Sequence, residues 1–122
     1  MQKRILIAED SATILEIIKQ TVEAAGYAVF EAIDGQQALD KARKEAPDLI
    51  ILDLMLPKLD GYKVCRFLKF DEKYKKIPII ILTARAQESD KKLSQEVGAN
   101  AYLNKPFDPE KLLAKIAEFL GT

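Results

Sequence analysis

The chain has 122 residues, 48% of them hydrophobic and 31% charged, which suits one folded core and is too short for two. Its 19 basic and 19 acidic residues cancel, so no overall field attracts nucleic acid or an anionic membrane. One cysteine and no histidine exclude an internal disulfide, the usual zinc sites and histidine-dependent catalysis from this chain alone. We expect one cytoplasmic domain over residues 1–122, without direct nucleic-acid or membrane binding.

The first half of the chain alternates predicted strands and helices. Ile5–Ala8 is a short apolar run, which predicts a strand buried on both faces. Ser11–Ala25 carries apolar residues at helical spacing and meets Gly26, a typical helix stop. Tyr27–Ala32 predicts a second strand, and Asp34–Glu45 a second helix.

The second half continues this alternation. Apolar runs at Leu49–Leu52 and Ile79–Leu82 predict two buried strands, and Ala101–Leu103 predicts a short fifth one. Three more helices are predicted over 60–70, 88–97 and 108–120. Because parallel neighbours need right-handed helical crossovers, this order predicts a doubly wound α/β domain with helices on both faces of a parallel sheet.

Charged or hydroxyl side chains follow four of the five strands. Glu9 and Asp10 follow the first strand, Asp53 the third, Thr83 closes the fourth, and Lys105 follows the fifth. In open α/β sheets, ligands bind at this carboxyl edge. Three carboxylates that converge there need a cation, and oxygen ligands without histidine or cysteine favour Mg²⁺.

A metal beside a carboxylate, a hydroxyl and an ammonium is also the equipment of phosphoryl transfer. Asp53 can accept a phosphoryl group as an acyl phosphate. Lys105 would pair with the added charge and Thr83 would donate a hydrogen bond to it.

These residues resemble those of the receiver domains of two-component response regulators, along the whole chain. The matching motifs are Glu9-Asp10, Leu52-Asp53-Leu54-Met55-Leu56-Pro57 with Asp60-Gly61, Leu82-Thr83-Ala84, and Tyr102-Leu103-Asn104-Lys105-Pro106-Phe107. The resemblance implies a flavodoxin-like (βα)5 fold with strand order 2-1-3-4-5. It also implies a phosphoacceptor signalling module of a phosphorelay.

The resemblance assigns a role to each residue of the metal site. Asp53 is the phosphoacceptor, and it binds Mg²⁺ together with Asp10 and the main-chain carbonyl of Met55. Glu9 assists through a metal-bound water. Arg85 and Met55 lie two residues beyond Thr83 and Asp53, and we hypothesise that their bulk slows hydrolysis of the acyl phosphate.

The resemblance also implies a switch. Thr83 and Lys105 contact the phosphoryl group, and the Lys105-Pro106 peptide bond is cis. Thr83 moves inward on phosphorylation, Tyr102 rotates into the vacated space, and the surface of the fourth helix, fifth strand and fifth helix is repacked.

The leading hypothesis is that the donor is a histidine kinase or histidine phosphotransfer protein, because the chain has no histidine of its own. The output is a partner protein or an output domain that this sequence lacks, and the chain is a monomer or a weak, phosphorylation-dependent dimer. A Mg²⁺-dependent phosphohydrolase is an alternative, but Met55 stands where a general acid would be needed. A degenerate receiver that only docks is a third, disfavoured because every key position is intact.

Overall fold

Five parallel strands form the central sheet of the computed structural model, which describes residues 2–84, 92 and 96–121. The strands are β1 (Arg4–Ala8), β2 (Ala28–Ala32), β3 (Leu49–Leu52), β4 (Ile79–Thr83) and β5 (Ala101–Asn104). Their order is β2-β1-β3-β4-β5, which confirms the order predicted above. Each predicted strand is found within one residue of its expected bounds at either end.

The register of the sheet brings the strand ends together at one edge. Ala8 at the end of β1 pairs with Ala32 on one side and with Leu52 on the other. Across the other half of the sheet, Thr83 pairs with Asn104. The residues that follow β1 and β3 therefore start from neighbouring positions, and those that follow β5 start at the same edge of the sheet, two strands away from β3.

Four helices cover the sheet in the described part of the chain. They are α1 (Ala12–Ala24), α2 (Gly35–Glu45), α3 (Gly61–Lys69) and a C-terminal helix (Pro109–Leu120). Each begins after an N-cap whose side chain accepts a backbone hydrogen bond, as this residue class does at helix starts; the caps are Ser11, Asp34, Asp60 and Asp108. The helix predicted over 88–97 lies mostly outside the described residues.

Two apolar layers hold the helices against the sheet. Leu39 of α2 and Val64 of α3 pack on one face, while Ile18 of α1 and Ile116 of the C-terminal helix pack on the other. The strands contribute alternate residues to both layers, and this explains their continuous apolar runs. Among the described residues, no helix combines the length and apolar character that crossing a membrane requires.

Candidate functional site

Three carboxylates converge at the carboxyl edge of the sheet. The backbone N–H of Glu9 donates to the carbonyl of Ala32 (3.0 Å), and that of Asp53 donates to the carbonyl of Ala8 (3.1 Å). These bonds continue the strand pairing for one residue beyond β1 and β3 and fix where both acids start. One carboxylate oxygen from each of Glu9, Asp10 and Asp53 lies within 4.8 Å of the others. The convergence predicted from sequence is present.

The environments of the three acids differ. Glu9 and Asp53 are buried, with 2% and 5% of their surfaces exposed, whereas Asp10 is exposed. The cluster is therefore open to solvent on the Asp10 side and enclosed on the other. Oxygen donors gathered in this way fit a hard divalent ion such as Mg²⁺, which takes one or two carboxylates and keeps several waters.

Lys105 places a positively charged ammonium beside the carboxylates. Its ammonium Nζ donates to Oδ2 of Asp53 at 3.0 Å and also forms a short ion pair with Oε1 of Glu9. The Lys105-Pro106 bond is cis, in agreement with the resemblance. The backbone N–H of Lys105 donates to the carbonyl of Thr83 (2.8 Å), so the loop after β5 is fixed to the end of β4.

The pKa values of Glu9 and Lys105 are shifted. Burial raises the pKa of the Glu9 carboxyl, and the hydrogen bonds from Lys105 and from the backbone N–H of Ser11 offset this only in part. For Lys105, burial acts to lower the ammonium pKa, but the hydrogen bonds to Glu9 and Asp53 outweigh it and the pKa is raised. Lys105 is therefore a permanent positive charge beside Asp53 at neutral pH.

Thr83 and Tyr102 lie on adjacent strands, as the predicted switch requires. Thr83 is fully buried at the end of β4. Tyr102 is half-buried in β5, pairs in register with Ile81, and packs against the apolar layer that contains α2 and α3. Thr83 and Tyr102 therefore lie on β4 and β5, two strands that pair directly.

The segment after β3 shapes the wall of the site. The backbone N–H of Met55 donates to Oδ1 of Asp53 at 3.1 Å, while the Met55 side chain is 58% exposed. Gly61 approaches closely from α3: a Cβ there would lie 2.3 Å from the carbonyl oxygen of Asp53. The lack of a side chain at Gly61 therefore lets the start of α3 lie against the backbone of Asp53. Arg85 lies outside the described residues.

Sequence reasoning missed the contact that holds this segment from the side of α2. The N–H of Gly35 donates to the carbonyl of Pro57 (3.1 Å), and a Cβ on Gly35 would lie 1.6 Å from the carbonyl oxygen of Leu59. Asp34, buried at the start of α2, lies 3.5 Å from the ammonium of Lys58. The Asp34-Gly35 pair is visible in the sequence as a helix start, but nothing local indicates which loop it contacts.

Comparison with family models gives a match over residues 5–117 to the response regulator receiver domain. Among similar proteins, the alkaline phosphatase synthesis transcriptional regulatory protein PhoP of Bacillus subtilis is 44% identical over 98% of this chain, which spans about half (49%) of PhoP. The polar-differentiation response regulator DivK of Brucella ovis is 36% identical over 99% of this chain and 98% of its own length.

A solved structure supports the same grouping. The receiver domain of the sensor histidine kinase PA1611 from Pseudomonas aeruginosa superposes with a TM-score of 0.92 and 34% identity, covering the whole of both chains. In that structure a magnesium ion is coordinated in the active site cleft.

Proposed function

Since this chain belongs to the response regulator receiver domain family, we propose that Asp53 is its phosphoacceptor. Receiver domains are signalling modules of two-component systems, and the acidic pocket of Glu9, Asp10 and Asp53 fits that role. The observation that supports the assignment most directly is the position of Lys105 Nζ, 3.0 Å from Oδ2 of Asp53. Asp53 shares this lysine with Glu9, and one of its carboxylate oxygens lies within 4.8 Å of those of Glu9 and Asp10.

We propose Mg²⁺ as the ion that completes the site. Asp10 and Asp53 would hold it together with the main-chain carbonyl of Met55, and Glu9 would act through a metal-bound water. When bound, the ion would neutralise negative charge on the phosphoryl oxygens and on the acids. The support is the oxygen-only donor set within 4.8 Å and the magnesium in the related cleft of the PA1611 receiver.

Phosphorylation would form one bond and break one bond. A carboxylate oxygen of Asp53 attacks phosphorus, the bond from phosphorus to the donor atom breaks, and its electron pair leaves with the donor. Lys105 already contacts Oδ2 of Asp53, so its ammonium is available to pair with the oxygens of the new phosphoryl group. The Thr83 hydroxyl would donate a hydrogen bond to the same group.

The added charge at Asp53 would then change the conformations of Thr83 and Tyr102. A phosphoryl group brings nearly two negative charges and acceptor oxygens, which draw the Thr83 hydroxyl toward Asp53. Tyr102, on the adjacent strand, would turn into the space this leaves. The packing would change at the surface formed by the predicted helix over 88–97, β5 and the C-terminal helix. This surface would then bind a different partner protein.

Receiver domains receive signals from histidine kinases and pass them to output domains or partner proteins. We propose that a histidine kinase or a histidine phosphotransfer protein supplies the phosphoryl group here. PhoP, of which the chain spans about half, is named a transcriptional regulator, and DivK matches over nearly its whole length. The recipient of the signal would therefore be either an output domain or a separate protein.

Incubation with Mg²⁺ and acetyl phosphate, followed by intact mass measurement, tests the phosphoacceptor. The wild-type chain should gain one phosphoryl group, and Asp53→Asn should gain none. Asp60→Asn is the matched control, because asparagine also caps a helix and Asp60 caps α3. Labelling that persists in Asp53→Asn would refute the assignment, and steady turnover of phosphate esters would favour a phosphohydrolase instead.

A further inference from the structure

Two exposed phenylalanines mark a surface of α3 that the phosphoacceptor site does not use. Phe67 is 50% exposed, and Phe70, the C-cap of the helix, is 71% exposed. Lys63 and Arg66 complete an i, i+3, i+4, i+7 pattern with them, so all four side chains share one face. This face is distinct from the buried face of α3, which faces the core.

A groove of about 960 Å³ runs along these side chains. Arg43 of α2 lines it together with the four residues of α3, and Asp71 and Glu72 lie in the loop that follows. We call Arg43, Lys63, Arg66, Phe67 and Phe70 the α3 face. Contiguous exposed apolar area bordered by charge is typical of an interaction site.

The charge of the α3 face is unbalanced. Within the described part of the chain, no acidic side chain forms an ion pair with Arg43, Lys63 or Arg66. The guanidinium of Arg66 instead lies 5.9 Å from the ring centre of Phe70. The basic side chains are thus free to pair with an incoming anion.

The two acids of the groove are already engaged. Glu72 forms an ion pair with Lys75 (2.8 Å), and Oδ1 of Asp71 accepts a hydrogen bond from the backbone N–H of Lys73 (2.9 Å). Their charge is therefore partly compensated within the loop, whereas that of the three basic residues is not. One side of the groove is positively charged and aromatic. At its other end, the negative charge of Asp71 and Glu72 is partly compensated within the loop.

We propose that the α3 face docks an acidic amphipathic helix of a partner protein. Apolar side chains of that helix would cover Phe67 and Phe70, and its carboxylates would pair with the three basic residues. This interaction does not rest on the phosphoacceptor role. α3 begins after the carboxyl end of β3 and Phe70 precedes β4, so Phe70 lies toward the opposite edge of the sheet from Asp53.

Charge also argues against two other occupants. A second copy of the chain in a two-fold dimer would bring the same patch against itself, so the three basic residues would meet only Asp71 and Glu72, which are already engaged within their own loop. A nucleic acid would bring a continuous row of phosphates past Asp71 and Glu72, which line the groove. A short acidic helix can instead present its carboxylates to the basic side alone.

Fluorescence anisotropy with a labelled synthetic helix of about five turns tests the proposal. The probe carries leucines at i, i+3, i+4 and i+7 and glutamates at the flanking positions. The wild-type chain of 122 residues should bind it, and the dissociation constant should rise at least several-fold between about 0.05 M and 0.5 M salt because the ion pairs are exposed. A second probe with lysines in place of the glutamates should bind at least tenfold more weakly.

Variants separate the apolar and charged contributions. Phe67→Ala with Phe70→Ala, and separately Arg66→Glu, should each weaken binding of the glutamate probe by about tenfold or more. Ile33→Ala, an exposed apolar residue elsewhere, and Lys111→Glu, an exposed lysine of the C-terminal helix, are the matched controls and should bind as the wild type does. All these side chains are exposed, and circular dichroism would verify the folding of each variant.

The proposal is overturned by any of four results. These are no binding of the glutamate probe, equal binding of both probes, unchanged binding in the α3-face variants, or stronger binding of a DNA duplex than of the glutamate probe. Sedimentation equilibrium provides a further test: self-association that is lost in Phe67→Ala with Phe70→Ala would make this face a contact between copies instead.

Discussion

The ammonium Nζ of Lys105 lies 3.0 Å from Oδ2 of Asp53, although 52 residues separate the two in sequence. The same ammonium is ion-paired with Glu9. The single ammonium of Lys105 therefore offsets part of the negative charge of the two buried acids. A bound cation and a phosphoryl group must both be accommodated around this ion pair. The ion pair, metal binding and phosphorylation therefore influence one another electrostatically.

Replacing Lys105 should affect metal binding and phosphorylation in opposite directions. In Lys105→Met the acids lose their positive neighbour, so Mg²⁺ should bind roughly tenfold more tightly, as removal of one adjacent charge predicts. Labelling by acetyl phosphate should slow by about a hundredfold, because one stabilising charge is missing in the transition state. The rise of the melting temperature with Mg²⁺ measures the first effect and intact mass the second. Lys111→Met should change neither, and weaker Mg²⁺ binding in Lys105→Met would contradict this explanation.

Removing the hydroxyl of Thr83 should separate phosphorylation from the switch. Thr83→Ala should still bind beryllofluoride at Asp53, but the ring signals of Tyr102 in nuclear magnetic resonance spectra should no longer shift on its addition. Thr83→Ser retains the hydroxyl and should retain the response. The prediction fails if Tyr102 responds equally in Thr83→Ala.

Small residues at positions 55 and 85 should shorten the lifetime of the phosphorylated form. Met55 follows Asp53 by two residues and donates its N–H to Oδ1 of that acid, so its side chain begins beside the site of hydrolysis. In Met55→Ala with Arg85→Ala, water should reach the acyl phosphate more easily and its decay should accelerate several-fold. Decay of the labelled mass measures this, with Phe70→Ala as an exposed apolar control on α3. An unchanged decay rate would contradict the hypothesis that bulk at these two positions slows hydrolysis.

A methyl group at Gly35 should destabilise the fold. A Cβ there would lie 1.6 Å from the carbonyl oxygen of Leu59, so either α2 or the loop after β3 must move. We expect Gly35→Ala to lower the free energy of unfolding by about 3 kcal/mol, typical of a forced core rearrangement. Gln36→Ala, at the next and exposed position of α2, should stay within about 0.5 kcal/mol of the wild type. Urea denaturation compares them, and equal stability of the two variants would show that the loop yields freely.

The buried thiol of Cys65 should make stability depend on alkaline pH. Burial raises the pKa of this thiol from 9.0 to about 12, so between these values the unfolded chain loses the proton and the folded chain retains it. Folding therefore becomes less favourable as the pH rises, by about 1 kcal/mol between pH 8 and pH 10. Urea denaturation under reducing conditions should show this loss in the wild type and a smaller loss in Cys65→Ala. Equal losses in both would contradict the assignment.

Sequence determined most of the fold because local signals agreed with one another. The continuous apolar runs of β1, β3 and β4 predicted strands buried on both faces, and the two apolar layers explain why no alternation is seen. Helix starts were readable from Ser11, Asp34, Asp60 and Asp108, since a side chain that caps a helix acts within three residues of itself. The meeting of Glu9, Asp10 and Asp53 followed from the topology of parallel strands.

Tertiary structure decided what depends on contacts between distant segments. No local pattern indicates that Gly35 touches Leu59, because the contact joins the start of α2 to the loop after β3. The pairing of Lys105 with Glu9 is likewise set by packing. The sequence predicts a helix over 60–70, but only burial and the position of Arg43 on α2 revealed that Phe67 and Phe70 border a basic groove. Sequence fixes spacing along one element, whereas the surroundings of a side chain depend on which elements pack together.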